Sequence, residues 1–351
     1  MAIDMNISIV AKMHLGNIGK LKTNMENEEV RDQLLSGVWG DERMTLLHIA
    51  CKFGNVEACR ILLDNGAPID ALNANKCTPM HLAAFNGYAN VLRLLKERGS
   101  RAHIDGMLTV HYDSVLHYAA CAKTPKCINV LAEYLAQPGM ETPNENGKMP
   151  IHCAIHGNLH ANVRALANIN PECVNLPDRL GVYPIHYAVC SGHKRIFKAI
   201  LAASTATIDA TDSNGFTAMH YAAMHNNYIA MRTLLHNKSR SLGIGHHHTG
   251  DRPLHCLARC GHHKTFVSMM WHHAKHVHER NAEGKTVLHL AVEHGHEEIC
   301  VYLIKILPSL MSEVDAKGLT PLQYAVFSRN PVLVGHFVLG NRELIKTITS
   351  V

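Results

Sequence analysis

Apolar residues recur along this chain in two kinds of short run that alternate. The first kind is Ala-rich and follows a histidine, as in HIACKFGN, HLAAFNGY, HYAVCSGH, HYAAMHNN and HLAVEHGH. The second kind, as in VEACRILLDNG and NVLRLLKERG, places Leu, Ile, Val and Met three to four residues apart, which gathers them on one helical face. Each run predicts a short amphipathic helix. Gly54, Gly87, Gly192, Gly261 and Gly295 stand between the two helices, where a left-handed residue ends the first. Asn226 fills the same place with a side chain that tolerates that conformation. After the second helix comes a polar loop (NANKC, NENGK, TDSNGF, NAEGK, DAKGL), whose turn residues suit a short hairpin.

The pattern is periodic. Short blocks read TLLH, TPMH, SVLH, MPIH, YPIH, TAMH, RPLH, TVLH and TPLQ, ending at His48, His81, His117, His152, His186, His220, His255, His289 and Gln323. The spacings between those end residues run from 33 to 36. A unit of helix, turn, helix and loop cannot bury its apolar face alone, so units of this length must stack on one another. The T-P-L-H start, the Gly-His pairs (Gly192-His193, Gly261-His262, Gly295-His296) and the period closely resemble the ankyrin-repeat family over roughly residues 10 to 340.

The resemblance implies an all-α solenoid of about ten helix-turn-helix units with short β-hairpin loops. Residues 1–43 are expected to form an N-terminal capping repeat, 44–319 eight repeats, 320–340 a C-terminal capping repeat and 341–351 a tail. It also implies a structural role for the eight motif histidines: the Thr hydroxyl and the imidazole bond each other, and the ring reaches the neighbouring loop. A hydroxyl survives at Thr45, Thr78, Ser114, Thr217, Thr286 and Thr320, whereas Met149, Tyr183 and Arg252 depart from the pattern. Units lacking that hydroxyl are expected to be less rigid unless another donor replaces it.

Composition narrows the function classes. Lys and Arg do not gather into a stripe and the formal net charge is only +5 over 351 residues, so the footprint of a nucleic-acid binder is missing. Eleven cysteines are an odd number, several of them within apolar helical runs, as expected of free thiols in a reducing compartment. The N-terminal segment has no signal-peptide pattern and no 18-residue apolar stretch occurs, so a cytoplasmic, or alternatively nuclear, chain without membrane insertion is expected. Phosphate-loop, nucleophile-elbow, zincin and dinucleotide fingerprints are all missing; neither catalysis nor a cofactor is expected.

Two clusters invite chemistry. Ten histidines crowd into 246–278, with His272 and His276 four apart and Cys256 and Cys260 also four apart, a spacing that shares a helical face. His255 and His262 are ordinary repeat positions, however, and His246 to His248 fall at a loop tip, so no metal is expected. The chain also ends in Thr349-Ser350-Val351, similar to the tails that PDZ domains take by strand addition.

The expected function is that of a protein-interaction scaffold or adaptor, holding a partner protein on the concave side of the stack. The alternative is the cytosolic ankyrin arm of a larger protein such as a cation channel. The candidate contact positions lie just before each turn: Lys52, Phe53, Phe85, Asn86, Met224, His225, Arg259, Glu293 and His294, with Cys190, Ser191 and Cys260 in the same register and Asn75 and Lys76 at a loop tip. Phe53 and Phe85 would anchor the partner, and Lys52, Lys76 and Arg259 would steer an acidic one.

Overall fold

The computed structural model describes residues 16–99, 108–133 and 141–349. Two compact units are present, Met1–Leu180 with Lys198–Ser204 and Gly181–Phe197 with Thr205–Val351. The first contains five helix pairs: α1 (Ile18–Glu26) and α2 (Glu28–Ser36), α3 (Leu46–Phe53) and α4 (Val56–Asp64), α5 (Pro79–Phe85) and α6 (Ala89–Arg98), α7 (Val115–Ala120) and α8 (Lys126–Ala132), and α9 (Pro150–His156) and α10 (His160–Ile169). A sixth pair, α11 (Pro184–Cys190) and α12 (Lys194–Ala203), begins in the second unit. There it is followed by α13 (Ala218–Met224) and α14 (Tyr228–His236), α15 (Pro253–Cys260) and α16 (His263–His272), α17 (Val287–Glu293) and α18 (Glu297–Ile306), and α19 (Pro321–Phe327) and α20 (Pro331–Thr349). The periodicity thus resolves into an all-helical repeat array. The boundary drawn at 340 falls inside α20, whose backbone is helical through Thr349. Val351, the end of the PDZ-like tail, lies outside the described residues.

Small residues let the first helices approach one another. Ala50, Ala83, Ala119 and Ala154, each two places after the motif histidine, are all fully buried, and α3 packs on α5, α5 on α7, and α7 on α9. The second helices bury the stripe that their spacing predicts, with Leu62, Leu92, Leu95 and Leu131 at 0 to 1 % exposure. Burying a Leu side chain contributes roughly 2 kcal/mol, and the stripe recurs in each period. At the turn after α3, Gly54 has φ +72°, and a Cβ there would lie 2.5 Å from the Tyr88 ring. Both conformation and space demand glycine. Asn226 adopts the same left-handed geometry at φ +53°, and its side chain accepts from the Thr265 hydroxyl at 2.7 Å.

The loops are tighter than the hairpins expected of them. Most begin with an Asn or Asp whose side chain closes the turn: the Asn73 carboxamide oxygen accepts from the Asn75 and Cys77 N–H groups at 3.0 and 2.8 Å, and Asp212 does the same for Asn214 and Phe216 at 2.9 and 2.8 Å. The next N–H, that of Ala74, donates to Glu42 in the preceding loop at 2.8 Å. Loop binds loop, so no strand extends among the described residues beyond the isolated bridges Trp39–Met44 and Thr211–Thr217.

Candidate protein-binding groove

The motif histidines are fully used by the fold. Thr45 donates its hydroxyl to Nδ1 of His48 at 2.8 Å and its own N–H at 3.2 Å, while Nε2 donates to the Cys77 carbonyl of the next loop at 2.9 Å. An acceptor at Nδ1 and a donor at Nε2 require the neutral Nε2–H tautomer. The same closure recurs at Thr217 and His220, whose Nε2 donates to the Asp251 carbonyl at 3.0 Å, and at Thr286 and His289, reaching Leu319 at 3.0 Å. At His81 the Thr78 hydroxyl again donates to Nδ1 at 2.8 Å, and at His117 the Ser114 hydroxyl does so at 2.9 Å. Burial holds the pKa of His48, His117, His220, His255 and His289 below the ordinary imidazole value, with His220 lowered to about 4.

The three departures are handled differently. At His152 and His186 the N–H of Met149 and of Tyr183 donates to Nδ1, at 3.0 Å in each case, and the Tyr183 ring meets the imidazole edge-on at 5.8 Å. At His255 the long Arg252 side chain bonds the carbonyls of Gly243 and Arg280 at 3.2 and 2.8 Å and pairs with Glu279 at 3.0 Å. A replacement donor is therefore present in that repeat. The rings of His186 and His255 donate to carbonyls 24 residues ahead, Ala210 and Glu279, whereas those of His48, His117, His220 and His289 reach 29 to 31 ahead.

In the first unit a groove of about 420 Å³ opens beside these histidines. Phe85, Tyr118 and Leu82 form its apolar part, and Lys52, Asn75, Asn86, Glu42 and Asp113 supply polar groups, with Cys77, Cys121, Cys153, Asn73 and His117 completing the lining. Phe85 is 51 % exposed and meets the Tyr118 ring edge-on at 6.0 Å. Tyr118 also packs edge-on to His81 at 5.1 Å, and its hydroxyl lies 3.1 Å from the Cys77 sulfur. In the repeats of Tyr221 and Tyr324 the corresponding hydroxyl donates to the carboxylate that opens the loop, Asp212 at 2.7 Å and Asp315 at 2.6 Å. The loop before Tyr118 opens instead with Thr109, which has no carboxylate to offer, and the hydroxyl turns to Cys77.

Lys52, Asn75, Phe85 and Asn86 all line this groove. Phe53 is 49 % exposed at the end of α3 but is not part of the lining, and Lys76 is exposed at the loop tip with φ +56°. Leu82, Tyr118 and Cys153 went unrecognised, although each immediately follows a motif histidine and Leu82 lies three places before Phe85, a separation that shares a helical face.

In the second unit some of the equivalent positions are engaged by the protein itself, while Phe327, at the register of Phe85, is 66 % exposed. Arg259 pairs with the nearly buried carboxylate of Asp251, which also accepts from Asn281 at 2.8 Å. Glu293 pairs with the buried ammonium of Lys285 at 2.9 Å, His294 stacks on His296 at 6.3 Å, and Met224 and His225 flank the turn at Asn226. The carbonyls of Met224 and Arg259 accept from the histidines of the following Gly-His pairs, His262 at 3.0 Å and His296 at 2.7 Å. The crowded histidines are likewise dispersed: Thr249 donates to Nδ1 of His246 at 3.2 Å, His276 lies 3.0 Å from Glu279, and His278 lies 3.4 Å from Glu313. Among the described residues no group of three or more His, Cys, Asp or Glu is placed to hold a metal.

The family model for ankyrin repeats in three copies matches residues 9–106, 116–212, 161–243, 240–308 and 254–338. The tyrosine-protein kinase HTK16 of Hydra vulgaris is 31% identical over 121 residues, 33% of this chain and 14% of that protein. The transient receptor potential channel pyrexia of Drosophila melanogaster is 32% identical over 111 residues, 31% of this chain and 11% of that protein. The chain thus spans a small part of either relative's length. The crystal structure of the ankyrin repeat domain of Bcl-3 superposes with a TM-score of 0.53 at 25% identity, covering 61% of this chain and 94% of that one. Matched along most of its length, and closing repeat after repeat through one hydroxyl–imidazole device, the chain belongs to the ankyrin-repeat family.

Proposed function

We propose that this chain is a non-catalytic interaction module that holds a partner protein through the groove of its first unit. The observation that carries the reading is the exposure of aromatic side chains at successive helix ends. Phe53 and Phe85 present half their surface to solvent there, although a large aromatic contributes most when buried. Phe85 within the groove, ringed by Lys52, Asn75 and Asn86, has the composition of an interface core with its polar rim, and Phe53 adds a second exposed aromatic next to Lys52. Nucleic acid and cofactors have no part in this reading. The eleven unpaired thiols support a reducing compartment, cytoplasmic or nuclear, and no helix among the described residues is long and apolar enough to cross a membrane.

Replacing Phe53 and Phe85 together by Ala tests the proposal. Proximity labelling by the intact chain and by the double variant should differ in a defined set of proteins, and capture of those proteins should weaken by at least ~2 kcal/mol, roughly 30-fold, at an unchanged melting temperature. Equal capture, or loss of folding instead of capture, would return both residues to a packing role. The likeness to the Drosophila channel favours a second reading, an ankyrin arm within a larger protein. Sequencing the complete message distinguishes the two, since a further membrane-spanning segment is required by the second alone.

A further inference from the structure

Two places of the repeat, four residues before the motif histidine and four after it, meet each other in space. At His255 they hold Asp251 and Arg259, whose carboxylate and guanidinium pair directly. At His289 they hold Lys285 and Glu293, paired at 2.9 Å with the signs reversed. The fold thus brings the two side chains within hydrogen-bond reach. At His117 the same places hold Asp113 and Cys121. A thiol supplies no cation, so Asp113 lacks the counter-ion that Asp251 receives.

The likeness of the two aspartates extends to their other partner. Oδ1 of Asp251 accepts from the Asn281 side chain of the next loop at 2.8 Å, and Oδ1 of Asp113 accepts from the Asn144 side chain of the next loop at 2.9 Å. Each Asn stands eight places before the following motif histidine. The second carboxylate oxygen takes Arg259 in one case, whereas in the other no cation pairs with Asp113 among the described residues. Asp113 is half-buried and lines the groove with Phe85 and Tyr118, and Glu42 adds a second carboxylate. Lys52 borders the same space but forms no ion pair with either carboxylate among the described residues.

We propose that this groove takes an arginine side chain of the partner protein, with its guanidinium at Asp113 where Arg259 stands at Asp251. The proposal rests on reading the groove as a protein-binding site and names what the partner must present there. A half-buried carboxylate is stabilised most by a cation that also donates hydrogen bonds, and the planar guanidinium fork suits a carboxylate better than the point charge of an ammonium. Phe85 and Tyr118 place aromatic rings beside that position, and a guanidinium is attracted to ring faces. An acidic partner, expected from Lys52 and Lys76, would instead set its carboxylates against Asp113 and Glu42.

The test uses the whole chain and a set of blocked five-residue peptides whose central residue, between leucines, is arginine, lysine, citrulline or glutamate. Binding is read by nuclear magnetic resonance at millimolar peptide. The arginine peptide should bind roughly ten-fold tighter than the citrulline peptide, its neutral isostere, as expected of hydrogen bonds to a charged group. The glutamate peptide should bind most weakly. Asp113→Asn should bring the arginine peptide down to the citrulline level, and Cys121→Arg should abolish its binding by supplying the cation from within, without lowering the melting temperature. The comparison of peptides on the unmutated chain needs no variant to fold. Equal binding of the arginine and citrulline peptides, tighter binding of glutamate, or no binding of any peptide would overturn the proposal. If capture is lost on replacing Phe53 and Phe85 while arginine and citrulline bind equally, the partner reading stands and the arginine falls; capture unchanged in that double variant removes the partner reading itself.

Discussion

Helix ends at matching places of the repeat meet different surroundings in the two units. In the first, Phe53 and Phe85 stand half exposed and Lys52, Asn75 and Asn86 border a groove. In the second, Arg259 is held by Asp251, Glu293 holds Lys285, and His294 stacks on His296. A charged side chain committed to a nearly buried partner inside its own fold is not free to steer another protein, because releasing it strands the partner charge. The steering role read from the sequence for Arg259 is therefore opposed by its geometry, whereas Lys76 keeps an exposed position and half-buried Lys52 borders the groove. The difference teaches that one repeat position can be left exposed or engaged according to whether the fold supplies it with a partner.

The largest expected effect is one that the units share, and it serves as the control for their comparison. Five motif imidazoles are buried in neutral form with pKa values below 6.5, so the unfolded chain takes up protons before the folded one. Stability is thus fully present above about pH 6.5 and is lost as pH falls toward the folded-state values. His220, lowered to about 4, accounts for about 3 kcal/mol of that loss at about 1.4 kcal/mol per pH unit. Denaturant midpoints measured between pH 7 and 4 should fall, and His220→Gln should flatten the slope. Gln323 supplies the precedent, accepting the Thr320 N–H at 2.8 Å. An unchanged slope in that variant would remove the imidazole from the account.

The two helix-end surfaces should then separate under mutation. Phe53→Ala with Phe85→Ala should reduce partner capture by ~2 kcal/mol or more without altering unfolding. Arg259→Ala should do the reverse, costing about 2 kcal/mol of stability because Asp251 loses its cation, while capture is unaffected. A variant of Arg259 that unfolds normally yet captures poorly would break the contrast between the units and restore the steering role.

The smallest effect concerns local opening. Repeats between Ser114 and Asn214 contain Met149 and Tyr183 in place of the hydroxyl donor, and each missing hydrogen bond is worth about 1 kcal/mol. Their amides should exchange several-fold faster than those around His81 and His289. The repeat of Arg252 should stay protected, since its guanidinium bonds Gly243, Arg280 and Glu279. Fast exchange there would show that those bonds do not substitute for a Thr hydroxyl.

The helices, their turns and the role of the histidines were legible in the sequence, because each depends on a local pattern repeated until chance was excluded. Periodic Leu and Ile specify a helix face; Thr and His three residues apart lie within hydrogen-bonding reach across one helical turn; Gly54 and Asn226 mark the left-handed residue that ends a helix. What the side chains at the helix ends do was decided by tertiary structure. Phe85 meets Tyr118 and Arg259 meets Asp251, at separations of 33 and 8 residues in the chain. Whether such a side chain is satisfied or exposed depends on a neighbour that only the folded chain brings near, and no local period carries that information.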